Sequence, residues 1–501
     1  MDKGLLEIKN GESVQLNDIP NILFETFCES LKTVVSAEGK IVQFFAYEAV
    51  DQLKLMAIVR TDKLYILNTD APEKYPSLTC SSDKFHMFER EIAEQYAIQP
   101  VDHPWFKSVR YHENYRAKED LFGNNYEENI PGNYNFYSVK GDDIHEVAVG
   151  PVHAGVIEPG HFRFNCIGEV VLNLEIQLGF QHRGVEKMLE TVPQKRWLNI
   201  VEGIAGDTAM GNSLCYAQAM EALCGLKTNA HSQMIRSMAL ELERISNHIG
   251  DLGALSGDVA FLPPASYFGR IRGNFLNMLL LLAGNRFGKG LIQPGGLRYS
   301  LNQANFDEIQ QMCRKLRVEI EHIFDLLFSA SSVLSRFEKT GTVSTESAEK
   351  LGLVGVAGRA SGIAYDVRNA FPTEYYQKIE VTPKVETRGD VLARAKVRNR
   401  EVIDAFDIIE GMKYIKSLND EKYDINSPEP ASVVVTLNEG WRGELSHCII
   451  TDEKGGILRY KVKDPSFHNW NGLALSLKNE QISDFPLCNK SFNLSYCGFD
   501  L

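Results

Sequence analysis

Up to about Tyr111 the chain mixes amphipathic helical spacing with short alternating runs, at Ile41 to Tyr47, Leu55 to Thr61 and Lys63 to Leu67. Their β-branched and aromatic residues favour strands, and the mixture predicts a small α+β domain over residues 1–111. From 112 to 145 the sequence turns polar and rich in Asn, Glu, Gly and Tyr, with too little periodicity for a packed element, and reads as a linker. Residues 146–501 form the second predicted domain. It begins with a strand pair, Phe162 to Phe164 and Val170 to Leu174, about a turn at Ile167 and Gly168. A helical body follows. Apolar residues recur at helical spacing over Ala217 to Leu226, Ser232 to Gly250 and Ile271 to Ala283, and Phe306 to Phe337 extends this as one further helical stretch. Strand signals return at Ser432 to Leu437 and Cys448 to Thr451, with a turn at Gly455 and Gly456 before another strand. The expected fold class is therefore α+β, with the mainly helical second domain carrying small peripheral sheets. There is no internal repeat and no low-complexity tract.

Length supports more than one core, since 501 residues exceed what a single hydrophobic core organises. Apolar residues at 44% against 24% charged exclude a disordered chain. A formal charge of -13 repels phosphate backbones, so nucleic acid is excluded as a partner. The most apolar stretch, Leu276 to Ala283, falls far short of the roughly 20 residues that cross a bilayer, so no direct transmembrane segment is expected and membrane association must come through partners. Met1 to Asn10 is polar and carries acids, unlike a secretory signal, which predicts a cytoplasmic protein. The cysteines, at Cys28, Cys80, Cys166, Cys215, Cys224, Cys313, Cys448, Cys488 and Cys497, show no close pairing of the kind metal sites use, and most of them read as buried reduced thiols.

Three stretches concentrate chemistry. Gly150-Pro151-Val152-His153, followed by Glu158-Pro159-Gly160-His161-Phe162-Arg163, sets imidazoles, a carboxylate and a guanidinium on a strand and turn. A carboxylate beside histidine passes protons when burial lifts its pKa; the plain alternative is a polar turn in which Glu158 and Arg163 pair. Gln181-His182-Arg183-Gly184-Val185-Glu186-Lys187 reads as a solvated helix start with Glu186 near the positive helix end. Gly358-Arg359-Ala360-Ser361-Gly362, with Asp366-Val367-Arg368, combines close backbone approach with charges that pair internally. No glycine spacing between a strand and a helix cradles phosphate, so no nucleotide site is read.

These stretches, taken in order, carry a likeness to a known family. Phe88-Glu89-Arg90-Glu91, with Ile98 and His103-Pro104, is similar to the signature of the C subunit of respiratory complex I. Gly150 to His153, Glu158 to Arg163, His182 to Lys187, Glu241 to His248, Pro294 to Arg298, Gly358 to Arg368, Gly389 to Glu401, and Arg442-Gly443-Glu444-Leu445 to His447 resemble the complex I D subunit and the large subunit of membrane-bound nickel-iron hydrogenases. The resemblance covers nearly the whole chain, and fused C and D modules occur in this family.

Hydrogenases of the family hold nickel and iron with two Cys-x-x-Cys pairs, because soft thiolates bind and bridge the metals. By the flanking residues, the first pair falls at Ala205 and Thr208, around Asp207, and the second at Ser495 and Gly498, around Tyr496 and Cys497; Cys497 is one residue off the ligand register. The resemblance thus implies a chamber lined by these seven residues with the metal ligands gone, no metal in this chain, and hydrogen activation disfavoured. Complex I uses the same chamber for a quinone head group. His153 agrees with its strand-turn histidine, its tyrosine position falls on Gly206, and Tyr496 at the opposite rim offers a hydroxyl. Glu158 matches the glutamate that passes protons in hydrogenases, and with His161, His153 and Arg163 it makes up the expected proton-handling set.

The pattern most resembles energy-converting hydrogenase-related subunits of the formate hydrogenlyase type. It implies an oxidoreductase-complex subunit in the cytoplasmic arm, peripheral to the cytoplasmic membrane. Expected partners are a small iron-sulfur subunit like that of complex I B, and H-subunit-like and antiporter-like membrane proteins. No cofactor is expected in this chain: the iron-sulfur cluster belongs to the partner, and a quinone is the candidate acceptor for electron transfer coupled to proton or ion translocation. Two other readings stand beside this one: a non-catalytic coupling scaffold, and an active nickel-iron hydrogenase that recruits ligands such as Cys497 and Cys215.

Overall fold

Strands Leu6–Ile8, Leu64–Asp70, Leu53–Arg60 and Lys40–Glu48 lie side by side in that order, all antiparallel, in the first sheet of a computed structural model that describes residues 4–49, 52–116, 120–123, 135–417 and 427–501. The short strand Asn21–Ile22 joins this sheet in parallel to Leu64–Asp70. One face is covered by the helix Phe24–Ser36, which buries Phe27, Leu31 and Val34 against Phe44, Leu55 and Ala57. The other face, with Val42, Phe45, Met56 and Ile58, packs on Val433, Val435, Cys448 and Ile450 from near the end of the chain. Burial on both faces explains why Ile41 to Tyr47 is almost continuously apolar.

Those distant residues belong to a second sheet, ordered Ile457–Lys463, Gly443–Thr451, Ser432–Gly440 and Ser13–Gln15, antiparallel throughout. Its last strand comes from the first part of the chain. A third sheet holds Ile144–Val149, His161–Ile167 and Val170–Gln177, where the predicted strand pair gains a partner. The α+β class read from the sequence is realised as these separate small sheets around long helices.

The helix Ala230–Asp258 is the axis of the helical body, packed between Leu262–Ala283 and Val391–Gly411. The Asn229 side chain starts it by accepting from Ser232 N, and the next helix carries Pro at its first turn and Gly284, at φ 76°, at its end. Because this axis is enclosed, its charges are paired in the interior, Arg236 with Glu221 at 2.5 Å and Arg244 with Glu241 at 3.1 Å, and the His248 imidazole is hydrogen-bonded to Glu401 at 2.9 Å. Among the described residues, no helix is long and apolar enough to cross a membrane.

Two local expectations change. The stretch Phe306 to Phe337 is two helices, Gln303–Ser329 and Ser331–Phe337, because Ala330 adopts an extended conformation at φ -74° and ψ 111°. The run 181–187 does lead into a helix, Val185–Thr191, but Glu186 is buried rather than solvated. Its carboxylate accepts from Lys461 Nζ at 2.9 Å, Arg459 Nη2 at 2.7 Å and Val462 N at 3.0 Å. Burial alone would raise its pKa, and the two cations more than offset that and hold it well below the carboxylate range.

Candidate functional site

The chamber forms where two chain segments meet. The first, 203–208, precedes the helix Ala209–Cys224. The second follows the helix Phe485–Phe492, which ends at Asn493 in the left-handed region, and Ser495 then caps the short helix Tyr496–Asp500 by accepting from Gly498 N at 2.9 Å. Two guanidiniums tie the segments together. Arg183 donates to Gly203 O at 2.6 Å, to Ile204 O at 2.9 Å and to Cys497 O at 3.2 Å. Arg442 donates to Asp207 Oδ1 and Oδ2 at 2.7 Å each, to Thr208 Oγ1 at 3.2 Å and to Asn493 O at 2.6 Å.

Arg442 is placed by the turn between the strands Ser432–Gly440 and Gly443–Thr451. Gly355, at φ 62°, lies against that turn, and a Cβ there would sit 1.9 Å from the Arg442 carbonyl oxygen, so only glycine fits. The guanidinium lies over the Trp441 ring at 3.9 Å, and Trp441 Nε1 donates to Asp207 O at 2.9 Å. From behind, Asn247 Nδ2 donates to the same carbonyl at 3.0 Å. A cavity of about 10 Å3 between Gly206, Asp207, Glu243 and Arg272 leaves room for about one water.

The segments that carry positions 205, 208, 495 and 498 are thus tied together by Arg183 and Arg442, but the surroundings of those positions do not suit a nickel-iron group. A Cβ at Gly498 would meet Asp464 Oδ2 at 2.5 Å and Ser495 Oγ at 2.8 Å, so the space a ligand sulfur needs is filled. Thr208 Oγ1 is engaged by Trp441 Nε1 at 3.1 Å and by Arg442, and Ala205 offers only a buried methyl. Cys497 is the one thiol here among the described residues; burial, and then the Glu158 carboxylate, raise its pKa and keep it protonated. Among the described residues, no three His, Cys, Asp or Glu side chains gather as a ligand set.

The acids of the chamber are pushed apart. Burial raises Glu158, Arg442 pulls it down, and Asp207 raises it again; the net direction is up, with the Cys497 thiol and backbone donating to it. Burial would raise Asp207 too, but the Arg442 guanidinium overrides it and holds that carboxyl below its ordinary value. Asp464 is raised by burial, its Oδ1 accepts from Ser466 N at 2.8 Å, and its Oδ2 has no partner among the described residues. Behind the chamber Glu243 accepts from Met210 N at 2.8 Å and Gly211 N at 3.3 Å, and burial pushes it up to about 8.

The residues expected from the sequence divide. Glu158 reaches the chamber, as do Asp207, Thr208, Ser495 and Cys497. His161 and Arg163 do not join Glu158: they face each other at 3.4 Å, Arg163 pairs with Glu146 at 3.2 Å, and both lie against Phe136. His153 is exposed in its turn, accepting from Gly155 N at 3.0 Å. Tyr496 is fully buried, its hydroxyl accepting from Asn489 Nδ2 at 3.4 Å and its ring against Trp470. Local pattern gave no role to Arg183, Trp441, Arg442, Asp464 or Glu243. Arg183, Arg442 and Glu243 lie in stretches that the family likeness marks, and that was the available signal. Within 358–368, Arg368 pairs internally with Asp366 at 2.7 Å, whereas Arg359 finds its close partners outside the stretch, in Glu401 at 2.8 Å and Glu439 at 2.7 Å.

Comparison with known proteins finds sequence relatives along most of the chain. The family described as the 49 kDa subunit of the respiratory-chain NADH dehydrogenase matches residues 258–431 and 421–500. Formate hydrogenlyase subunit 5 of Escherichia coli is 27% identical over 456 residues, covering 86% of this chain and 77% of that protein. The carbon monoxide-induced hydrogenase of Rhodospirillum rubrum is 28% identical over 352 residues, covering 69% of this chain and 96% of its own length. NADH-quinone oxidoreductase subunit 4 of Thermus thermophilus is 28% identical over 370 residues, covering 68% of this chain and 90% of that protein.

Proposed function

Since this chain is a relative of the 49 kDa subunits of respiratory NADH dehydrogenases and of hydrogenase subunits such as that of formate hydrogenlyase, we propose that it is an oxidoreductase-complex subunit that handles protons without a nickel-iron centre. It sits in the cytoplasmic arm against a small iron-sulfur subunit, with H-subunit-like and antiporter-like membrane proteins as the route to ion translocation. Electrons come from the neighbour's cluster and pass to a small acceptor, with a quinone as the candidate.

The observation that carries the reading is the closed space at Gly498, where Asp464 Oδ2 lies 2.5 Å from the position of a Cβ. Acids and guanidiniums occupy the ground where soft sulfur would be needed. Glu158 supports the proton role. It is half-buried, its pKa is raised, and it feels the charges of Arg442 and Asp207, so it keeps its proton to higher pH than an exposed carboxylate does. Its protonated form is favoured by burial, and its ionised form by Arg442 and the Cys497 donors.

A second reading, a non-catalytic scaffold that couples the iron-sulfur subunit to membrane partners, is favoured by the same Arg442 to Asp207 pair, which spans the chamber and leaves about 10 Å3 beside Asp207. Co-purification with the neighbouring subunits, followed by assay with quinones, separates the two. Acceptor reduction without stoichiometric nickel is the expected result. Ion transport with no redox turnover would assign the scaffold, and stoichiometric nickel would restore a hydrogenase.

A further inference from the structure

A second cavity, of about 410 Å3, lies between the helices His86–Tyr96 and Ser466–Ser476 and the strand Val170–Gln177. Its volume lies within the range of small-molecule sites, which begins at roughly 300 Å3. Leu174, Leu178, Phe467, Trp470 and Phe499 give it apolar and aromatic walls. Gln177 also lines it, is only 3% exposed, and has no hydrogen-bond partner at either Oε1 or Nε2 among the described residues. Buried carboxamides are ordinarily satisfied, so a donor and an acceptor left open together in an aromatic cavity ask for a matching edge.

Of the charged groups of the wall, Glu175 and Arg90 are already engaged by the protein, and Asp83 is exposed to solvent. Glu175 accepts from Lys107 Nζ at 2.6 Å and from Tyr137 N at 2.7 Å, and Arg90 donates to Lys107 O at 2.6 Å and Ser108 O at 2.9 Å. His86 is held neutral, first by burial and then by the Arg90 charge. An anion would therefore lose its water without gaining a free counter-ion, and a cation would meet only the solvent-screened Asp83, whereas a neutral ring loses little.

We propose that this cavity binds a neutral planar heteroaromatic ring whose edge carries a carbonyl beside an N–H, a lactam or ring imide. The Gln177 carboxamide pairs with that edge, donating to the carbonyl and accepting from the N–H, while Phe467, Trp470 and Phe499 pack on the ring faces. Phe499 lies on the short helix Tyr496–Asp500 that also carries Cys497, so an occupant would rest against the back of the chamber's own helix.

The test is a fluorescence titration of the full chain with carbostyril, a fluorescent bicyclic lactam, alongside quinoline, which has the same ring shape but neither the N–H nor the carbonyl. Saturable one-site binding of carbostyril is expected, at least about tenfold tighter than quinoline. Gln177→Leu should lose that preference, and Ala474→Trp, which fills the cavity, should abolish binding of both. No saturable binding of carbostyril, or an undiminished preference in Gln177→Leu, overturns the proposal. Should Gln177→Leu fold poorly, the comparison of the two rings on the native chain and the Ala474→Trp variant still decide it.

Discussion

Arg442 grips Asp207 with both terminal guanidinium nitrogens at 2.7 Å, and the same side chain continues to Thr208 Oγ1 and Asn493 O. One arginine thereby fixes the distance between two segments that lie nearly 300 residues apart in sequence. The pair is unequal in exposure: the Arg442 side chain is 4% exposed and that of Asp207 36%. Water therefore screens the acid while the base depends on the protein for its partners, so the arginine is the member whose loss is felt more.

Replacing Arg442 by Gln is accordingly expected to destabilise the chain by roughly 1–3 kcal/mol, and Asp207→Asn by about 1 kcal/mol or less. A double-mutant cycle should return a coupling of about 1 kcal/mol. Its pH dependence has a fixed sign. Asp207 is depressed in the folded state, so its contribution is complete above the unfolded value near 3.8 and is lost as pH falls through the lower folded value. Urea unfolding of the four proteins at neutral and acid pH checks both points; coupling that grows in acid would contradict them.

The legibility of the chain followed the range of the interactions. Helices such as Ala230–Asp258 and strands such as Lys40–Glu48 were readable because their periodicity and caps lie within a few residues. The burial of Glu186 was not, because its partners Arg459 and Lys461 come from a strand 273 and 275 residues away. The break at Ala330 was hidden for another reason: neither Gly nor Pro stands there, and the flanking apolar spacing continues across it. In the chamber, Glu158 and the ligand-register positions were visible through family likeness. The clamp by Arg183 and Arg442 and the filling of the Gly498 space by Asp464 depend on contacts that no local pattern encodes.

Glu243 offers the opposite pH signature. Burial lifts its carboxyl from 4.5 to about 8, so between those values the folded state holds a proton that the unfolded state has released. Stability must then fall as pH rises across that window. Glu243→Gln, which keeps the acceptor oxygen for Met210 N, removes this dependence. It is expected to stabilise the protein by about 1–3 kcal/mol at pH near 8 relative to its effect at pH near 5. Denaturant midpoints of both proteins at the two pH values give the difference, and an equal shift at both would refute the buried, protonated state.

Glu158 should matter to turnover and hardly to folding. It is half-buried and free of any ion pair among the described residues, so Glu158→Gln is expected to change stability by about 0.5 kcal/mol or less. In the assembled complex the same change should lower proton-coupled acceptor reduction by about a hundredfold and flatten the limb of the pH-rate profile on which the carboxyl titrates. Retention of both the rate and the limb would remove Glu158 from the proton route.

The closed space at Gly498 leads to a prediction about what the chamber can be made to hold. Gly498 is in an ordinary helical backbone, so strain is absent and only contact opposes a side chain: Asp464 Oδ2 at 2.5 Å and Ser495 Oγ at 2.8 Å from the Cβ. Gly498→Ala is thus expected to cost roughly 1–3 kcal/mol. Asp464 cannot withdraw cheaply, since its Oδ1 is held by Ser466 N at 2.8 Å. Shortening it as Asp464→Ser should restore a good part of the loss in the double variant, although the single change forfeits that hydrogen bond. Restoring cysteine at 205, 208, 495 and 498 with Asp464 intact should therefore give a chain that binds nickel no better than the native one, and adding Asp464→Ser should raise binding. Thermal unfolding measures the first effect and equilibrium dialysis with nickel the second; tight nickel binding with Asp464 still in place would show that the space was never closed.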